Sequence, residues 1–119
     1  MTEPAEPPRR FQRSRMKGTK MPEGAVYVGR PTRWGNRWKA EAVDGVGWCC
    51  LDTDQKLLIQ ARDRADAHDL AVAHYRAQLA ADPGLVEDIR AKLRGKDLMC
   101  WCPHGVSCHA DLLLEIANA

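Results

Sequence analysis

LMCWCPHGVSCHADLLLEI, residues 98–116, decides the fold. Its first five residues are apolar on both faces, the mark of a central strand covered by other layers. Pro103-His104-Gly105-Val106-Ser107 then turns the chain. Leu112, Leu113 and Ile116 follow at helical spacing behind a Ser107 cap. A buried strand feeding a helix through a short loop is a building unit of α/β architecture. Because alternate side chains of a strand share a face, Cys100 and Cys102 point one way and Trp101 the other.

Reading back from this segment, Asp82-Pro83 opens a helix by the cap-then-proline rule, with Leu85, Ile89 and Leu93 on its buried face. Gly95 lies just past its end, where a left-handed residue is favoured. An earlier helix is capped by Asp66 and carries the stripe Ala71, Val72, Tyr75 and Leu79. Residues 25–28 form a β-branched and aromatic run ended by Gly29 and Pro31, hence a strand. Residues 30–36 are a loop, and residues 38–43 fit no single pattern. Asp44-Gly45 is a tight-turn signal, and the runs 46–51 and 56–61 read as a hairpin. The order implies an α/β fold: a small mixed sheet, Rossmann-like, with three helices and a β-hairpin inserted at 46–61. Residues 23–119 make a single domain, whereas residues 1–22, Pro-rich and then Arg/Lys-rich, read as a basic disordered tail.

The 119 residues, 45% hydrophobic and 29% charged, suit one domain with one core. No apolar run approaches a membrane span, and no signal-peptide order opens the chain. Five bunched cysteines do not form a secreted disulfide framework, so a reducing cytoplasm is expected. The net charge of +2 hides an asymmetry: residues 1–40 carry ten Lys/Arg against three Glu, and residues 41–119 carry eight Lys/Arg against thirteen Asp/Glu. The basic part would attract a polyanion such as nucleic acid.

Residues 100–109 hold three of the five cysteines and two of the four histidines. In one reading Cys108, at a helix start, is a reactive thiol favoured by unpaired N–H groups and the helix dipole, with His109 or His104 as acid or base. The same N–H groups would hold a phosphate. In a second reading Cys100, Cys102, Cys108 and His109 bind zinc, with His104 an alternative ligand. Against zinc stand the one-residue Cys100–Cys102 spacing on a straight strand and the divergence of neighbouring residues by about 100° around a helix. In a third, Cys100 and Cys102 are small buried hydrophobes. Cys49 and Cys50 face opposite sides of a strand and receive no role. His68 and His74 are assigned to packing or solvent.

Two stretches together, Arg30-Pro31-Thr32-x-Trp34-Gly35-Asn36 and Leu98-x-Cys100-Trp101-Cys102 followed by Cys108-His109, resemble the uncharacterised domain-of-unknown-function family 4326 of bacteria and their phages. The segment Leu93-Arg94-Gly95-Lys96-Asp97-Leu98 resembles it too, so the likeness runs from about Val26 onward. Arg37-Trp38 stand where the family usually has Pro-Phe, and Ala110 where it often has Gly. The resemblance supplies no established activity.

In open α/β sheets ligands bind beyond the carboxyl ends of parallel strands. If strands 25–30 and 98–102 are parallel neighbours, the loops following them meet. Arg30, Arg33, Trp34 and Asn36 would then join Cys102 and Ser107 around an anionic, flat ligand, with Cys108, His109 and His104 at the reacting centre. The leading expectation is a protein that binds or modifies a nucleotide or nucleic acid. The competing one is a non-catalytic, zinc-stabilised module for nucleic acid or a protein partner, such as a phage protein acting on a host factor.

Overall fold

A computed structural model of the chain describes residues 7–14, 23–53 and 57–119. In chain order the elements are β1 (Arg10–Gln12), β2 (Val26–Tyr27), β3 (Trp38–Val43), β4 (Gly47–Asp52), β5 (Leu58–Gln60), α1 (Arg64–Ala80), α2 (Pro83–Leu93), β6 (Leu98–Cys100) and α3 (His109–Ala117). The fold is mixed α/β with three helices, but the strands form two small sheets where a single mixed one is expected.

The first sheet is wholly parallel, in the order β1-β6-β2. Its central strand is buried throughout, as its two-sided apolar sequence requires. Val26 and Tyr27 pair with Leu98 and Met99, so the two strands whose adjacency the composite site needs are parallel neighbours. On the other side Arg10, Phe11 and Gln12 pair with Leu98, Met99 and Cys100. Residues 10–12 are therefore a strand and not part of a disordered tail; residues 1–6 and 15–22 of that tail lie outside the described residues. Three residues are too few to show a period, which is why Arg10-Phe11-Gln12 reads as tail.

The second sheet is antiparallel, β3-β4-β5. The expected hairpin is there as β4 and β5, but β3 extends it into a sheet that packs on α1 through Trp38, Cys50 and Ala71. Lys, Ala and Glu at four of its six positions hide β3 from a propensity reading.

Asp63, not Asp66, caps α1, accepting a hydrogen bond from the Asp66 N–H at 2.8 Å, so the helix starts earlier than expected. The Asp66 carboxylate in turn accepts from the Arg62 N–H. Asp82 caps α2 with Pro83 in its first turn, as expected. The cap of α3 is Cys108 where Ser107 is expected. The Cys108 thiol accepts from the Ala110 N–H at 3.5 Å, and Asp111 accepts from the Cys108 N–H at 3.3 Å. Tyr75, Ile89, Leu93, Leu98 and Leu113, all but fully buried, join the three helices to β6 in the main core. Each such side chain contributes about 1.5–3 kcal/mol of burial.

Burial, with the Asp52 carboxylate adding to it, pushes the Cys50 thiol up to about 11. Burial also raises the Tyr75 hydroxyl well above its ordinary value. Both groups fold protonated, and the unfolded chain releases these protons at lower pH. Their contribution is thus complete below about pH 8.5 and is lost as pH climbs through the alkaline range. Urea midpoints measured from pH 8 upward should fall steadily, and less steeply in Cys50→Val.

Candidate functional site

The carboxyl end of the parallel sheet opens into a cleft of about 480 Å³ between that sheet, α1 and the antiparallel sheet. Tyr27, Gly29 and Arg30 come from the end of β2 and the loop after it, and Cys100 to Pro103 with Ser107 to His109 from the end of β6, the loop after it and the start of α3. Trp38, Lys39, Ala40 and Trp48 come from the second sheet, and Arg64, His68, Ala71 and Val72 from α1. Arg30, Lys39 and Arg64 are cations, and no lining residue is acidic.

The cysteines converge at the cleft floor. The sulfurs of Cys100, Cys102 and Cys108 all lie within 4.8 Å of one another, and the Cys100 and Cys108 sulfurs are 3.2 Å apart. Two features of the backbone bring this about, and both remove the geometric objections to a shared site. The strand ends at Cys100, and the bend at Trp101 returns Cys102 toward it, so the two thiols are not strung along a straight line. Cys108, as N-cap, has extended and not helical backbone (φ −143°, ψ 148°), so the helical divergence from His109 does not apply. The His109 Nδ1 consequently sits 3.6 Å from the Cys108 sulfur. Its Nε2 faces the Val28 carbonyl oxygen at 2.7 Å. A carbonyl only accepts, so Nε2 carries the proton, and the lone pair of the neutral ring is on Nδ1, toward the thiols.

Hydrogen bonds from the Cys102 and Cys108 side chains pull the Cys100 thiol far below its ordinary value; burial opposes them, while the Cys102 backbone N–H and the Arg10 guanidinium assist. The same sulfur contacts and burial push Cys102 up. Cys100, assigned to the core by its sequence, is therefore both buried and a member of the thiol cluster.

Arg10 braces this arrangement from β1. Its guanidinium donates to the carbonyls of Val106 and Pro103, each at 3.2 Å, and pairs with Asp111 at 2.9 Å. The loop between Cys102 and Cys108 is thus strapped to the amino-terminal strand.

The residues expected to line the pocket divide. Arg30, Asn36, Cys102, Ser107, Cys108 and His109 line it. Asn36 also clamps the backbone: its amide donates to the Ala71 carbonyl and accepts from the Trp38 N–H, both at 2.9 Å. Ser107 donates to Asp69. Arg33 is turned away to Asp88 on α2, Trp34 packs against the main core, and His104 is exposed and outside the lining. Tyr27, Trp48, Arg64 and His68 belong to the cleft without having been singled out as site residues in the sequence, and Trp38 joins them there. Desolvation by burial, with Arg64 close by, lowers the His68 imidazole below its ordinary value, so it is no mere surface residue of α1. Its place four residues after Arg64 and three before Ala71, on one helix face, is the signal that could have found it.

The profile of the family described as a domain of unknown function (DUF4326) matches residues 11–119. The chain belongs to this family. The match begins at Phe11, inside β1, so the DUF4326 domain takes in the strand that carries Arg10's neighbour as well as the whole antiparallel sheet. No curated protein and no solved structure matches this DUF4326 chain significantly.

Proposed function

We propose that the cleft binds an anionic, planar ligand: a nucleotide, free or as an unpaired residue of a nucleic acid. The observation that carries this reading is its lining, in which Arg30, Lys39 and Arg64 stand among the rings of Tyr27, Trp38, Trp48 and Trp101 with no acidic residue beside them in the cleft wall. Among the described residues Lys39 alone of the three is paired with a carboxylate, that of Glu41 outside the lining. Guanidinium groups pair with phosphate oxygens, and aromatic faces stack on bases. The cleft volume falls within the about 300–1,000 Å³ usual for small-ligand sites. Trp48 is already covered by the Arg64 guanidinium at 5.7 Å from its ring centre, so cation and stacking surface are held together.

Calorimetric titration with nucleoside mono-, di- and triphosphates and with short single-stranded oligonucleotides tests the reading. Arg64→Ala and Arg30→Ala should each weaken the best ligand about tenfold or more, the worth of a charge-assisted hydrogen bond. Binding that is absent throughout the panel, or unchanged in both variants, would show that the cleft serves something else. An oligonucleotide preferred over every free nucleotide identifies nucleic acid as the ligand.

A further inference from the structure

We propose that Cys100, Cys102, Cys108 and His109 bind one zinc ion at the floor of the cleft. Three observations converge on it. The three sulfurs lie within 4.8 Å of one another. In tetrahedral zinc sites with Zn–S of about 2.3 Å, neighbouring sulfurs are about 3.8 Å apart, so the cluster has the size of one face of the coordination tetrahedron. His109 Nδ1 stands 3.6 Å from the Cys108 sulfur, close to the about 3.5 Å edge expected between imidazole and thiolate ligands of one zinc. The Nε2–H bond to the Val28 carbonyl is the outer-shell partner that fixes the tautomer of a metal-bound histidine.

Packing alone does not account for the convergence. Cys49 and Cys50 show what buried cysteine does in this chain when it merely fills space: they sit side by side on β4, and the Cys49 thiol donates to the Gly47 carbonyl. Cys100, Cys102 and Cys108 instead come from β6, the bend after it and the α3 cap, and turn their sulfurs to one point. Thiolate and imidazole donors select zinc over magnesium, calcium or manganese. Three thiolates on a divalent ion leave one net negative charge, and the Arg10 guanidinium, shared with Asp111, lies against the loop that carries two of the ligands. Binding releases thiol protons, so affinity falls as pH drops.

The test is metal analysis of the full chain purified under reducing conditions without chelator, followed by cobalt titration of the metal-free protein. One zinc per chain is expected, and cobalt should bind one to one with thiolate charge-transfer and tetrahedral d–d absorption. Cys100→Ser, Cys102→Ser and Cys108→Ser should each weaken cobalt binding by more than about 100-fold, beyond what an outer-shell change costs. Cys49→Ser should leave it unchanged. His109→Gln should shift the d–d bands. A second measurement needs no variant: iodoacetamide labelling mapped by mass spectrometry should find these three cysteines protected in the zinc-loaded protein and alkylated after metal removal.

Failure to take up zinc or cobalt, an iron chromophore, or labelling indifferent to metal would overturn the site. Cobalt binding that survives Cys102→Ser would do the same. Unshifted bands in His109→Gln would remove histidine from the ligand set and overturn the four-ligand assignment. No nucleotide enters these measurements, so their outcome is independent of what the cleft binds.

Discussion

Asn36→Ala is expected to lower the free energy of unfolding by about 2–4 kcal/mol, read from the urea midpoint at unchanged slope. The amide is buried, and both of its polar atoms are committed: it donates to Ala71 on α1 and accepts from the Trp38 N–H at the start of β3. Truncation strands the Trp38 N–H in an apolar surrounding and uncouples the loop after β2 from both α1 and the antiparallel sheet. Asn36→Asp keeps the acceptor but sets a carboxylate against the Ala71 carbonyl. That carboxyl would have a raised folded-state pKa, so the aspartate variant should recover stability as pH falls through the acid range. An alanine variant as stable as the parent would mean that the clamp contributes nothing.

Tyr75→Ala should cost about 3–5 kcal/mol, the range for removing a buried aromatic ring, out of the 5–15 kcal/mol typical of a domain. Tyr75 is fully buried in α1; its hydroxyl donates to the Trp34 carbonyl at 2.8 Å, and its ring leans on His109 with centroids 5.3 Å apart. One side chain therefore supports both motif loops. Tyr75→Phe retains the ring and loses only the hydroxyl, and about 1–2 kcal/mol is expected for the orphaned carbonyl. If Tyr75→Phe destabilised as much as Tyr75→Ala, the hydrogen bond rather than the packing would dominate. Thermal and urea unfolding of the two variants side by side distinguishes these outcomes.

The parts of the fold that could be read in advance are those with a period. Leu85, Ile89 and Leu93 repeat along α2, Tyr75 and Leu79 along α1, and the all-apolar β6 announces a covered strand. Proximity between distant segments was legible only through the general rule for ligand sites in parallel sheets, which brought Arg30 and Asn36 to Cys102 and Cys108. What escaped was set by single backbone angles. A bend at Trp101 and an extended Cys108 turned three cysteines from separate roles into one cluster. No local pattern distinguishes Arg33, which pairs with Asp88, from Arg30, which stays at the cleft. Arg10 was hidden for a different reason: its strand is three residues long, and nothing near it in sequence reveals its partner.

That partner lies some ninety residues away, and the order of synthesis turns this separation into a constraint. The middle strand of the parallel sheet is made near the end of the chain, whereas both of its flanking strands are made near the start. Until residue 98 has left the ribosome, β1 and β2 have no neighbour to hydrogen-bond in this sheet. The antiparallel sheet and α1, by contrast, need only the first eighty residues. The nascent chain must therefore carry two unpaired strands past a half that is ready to form, and closure is the late, non-local step that slows folding. The thiol cluster assembles only with that closure.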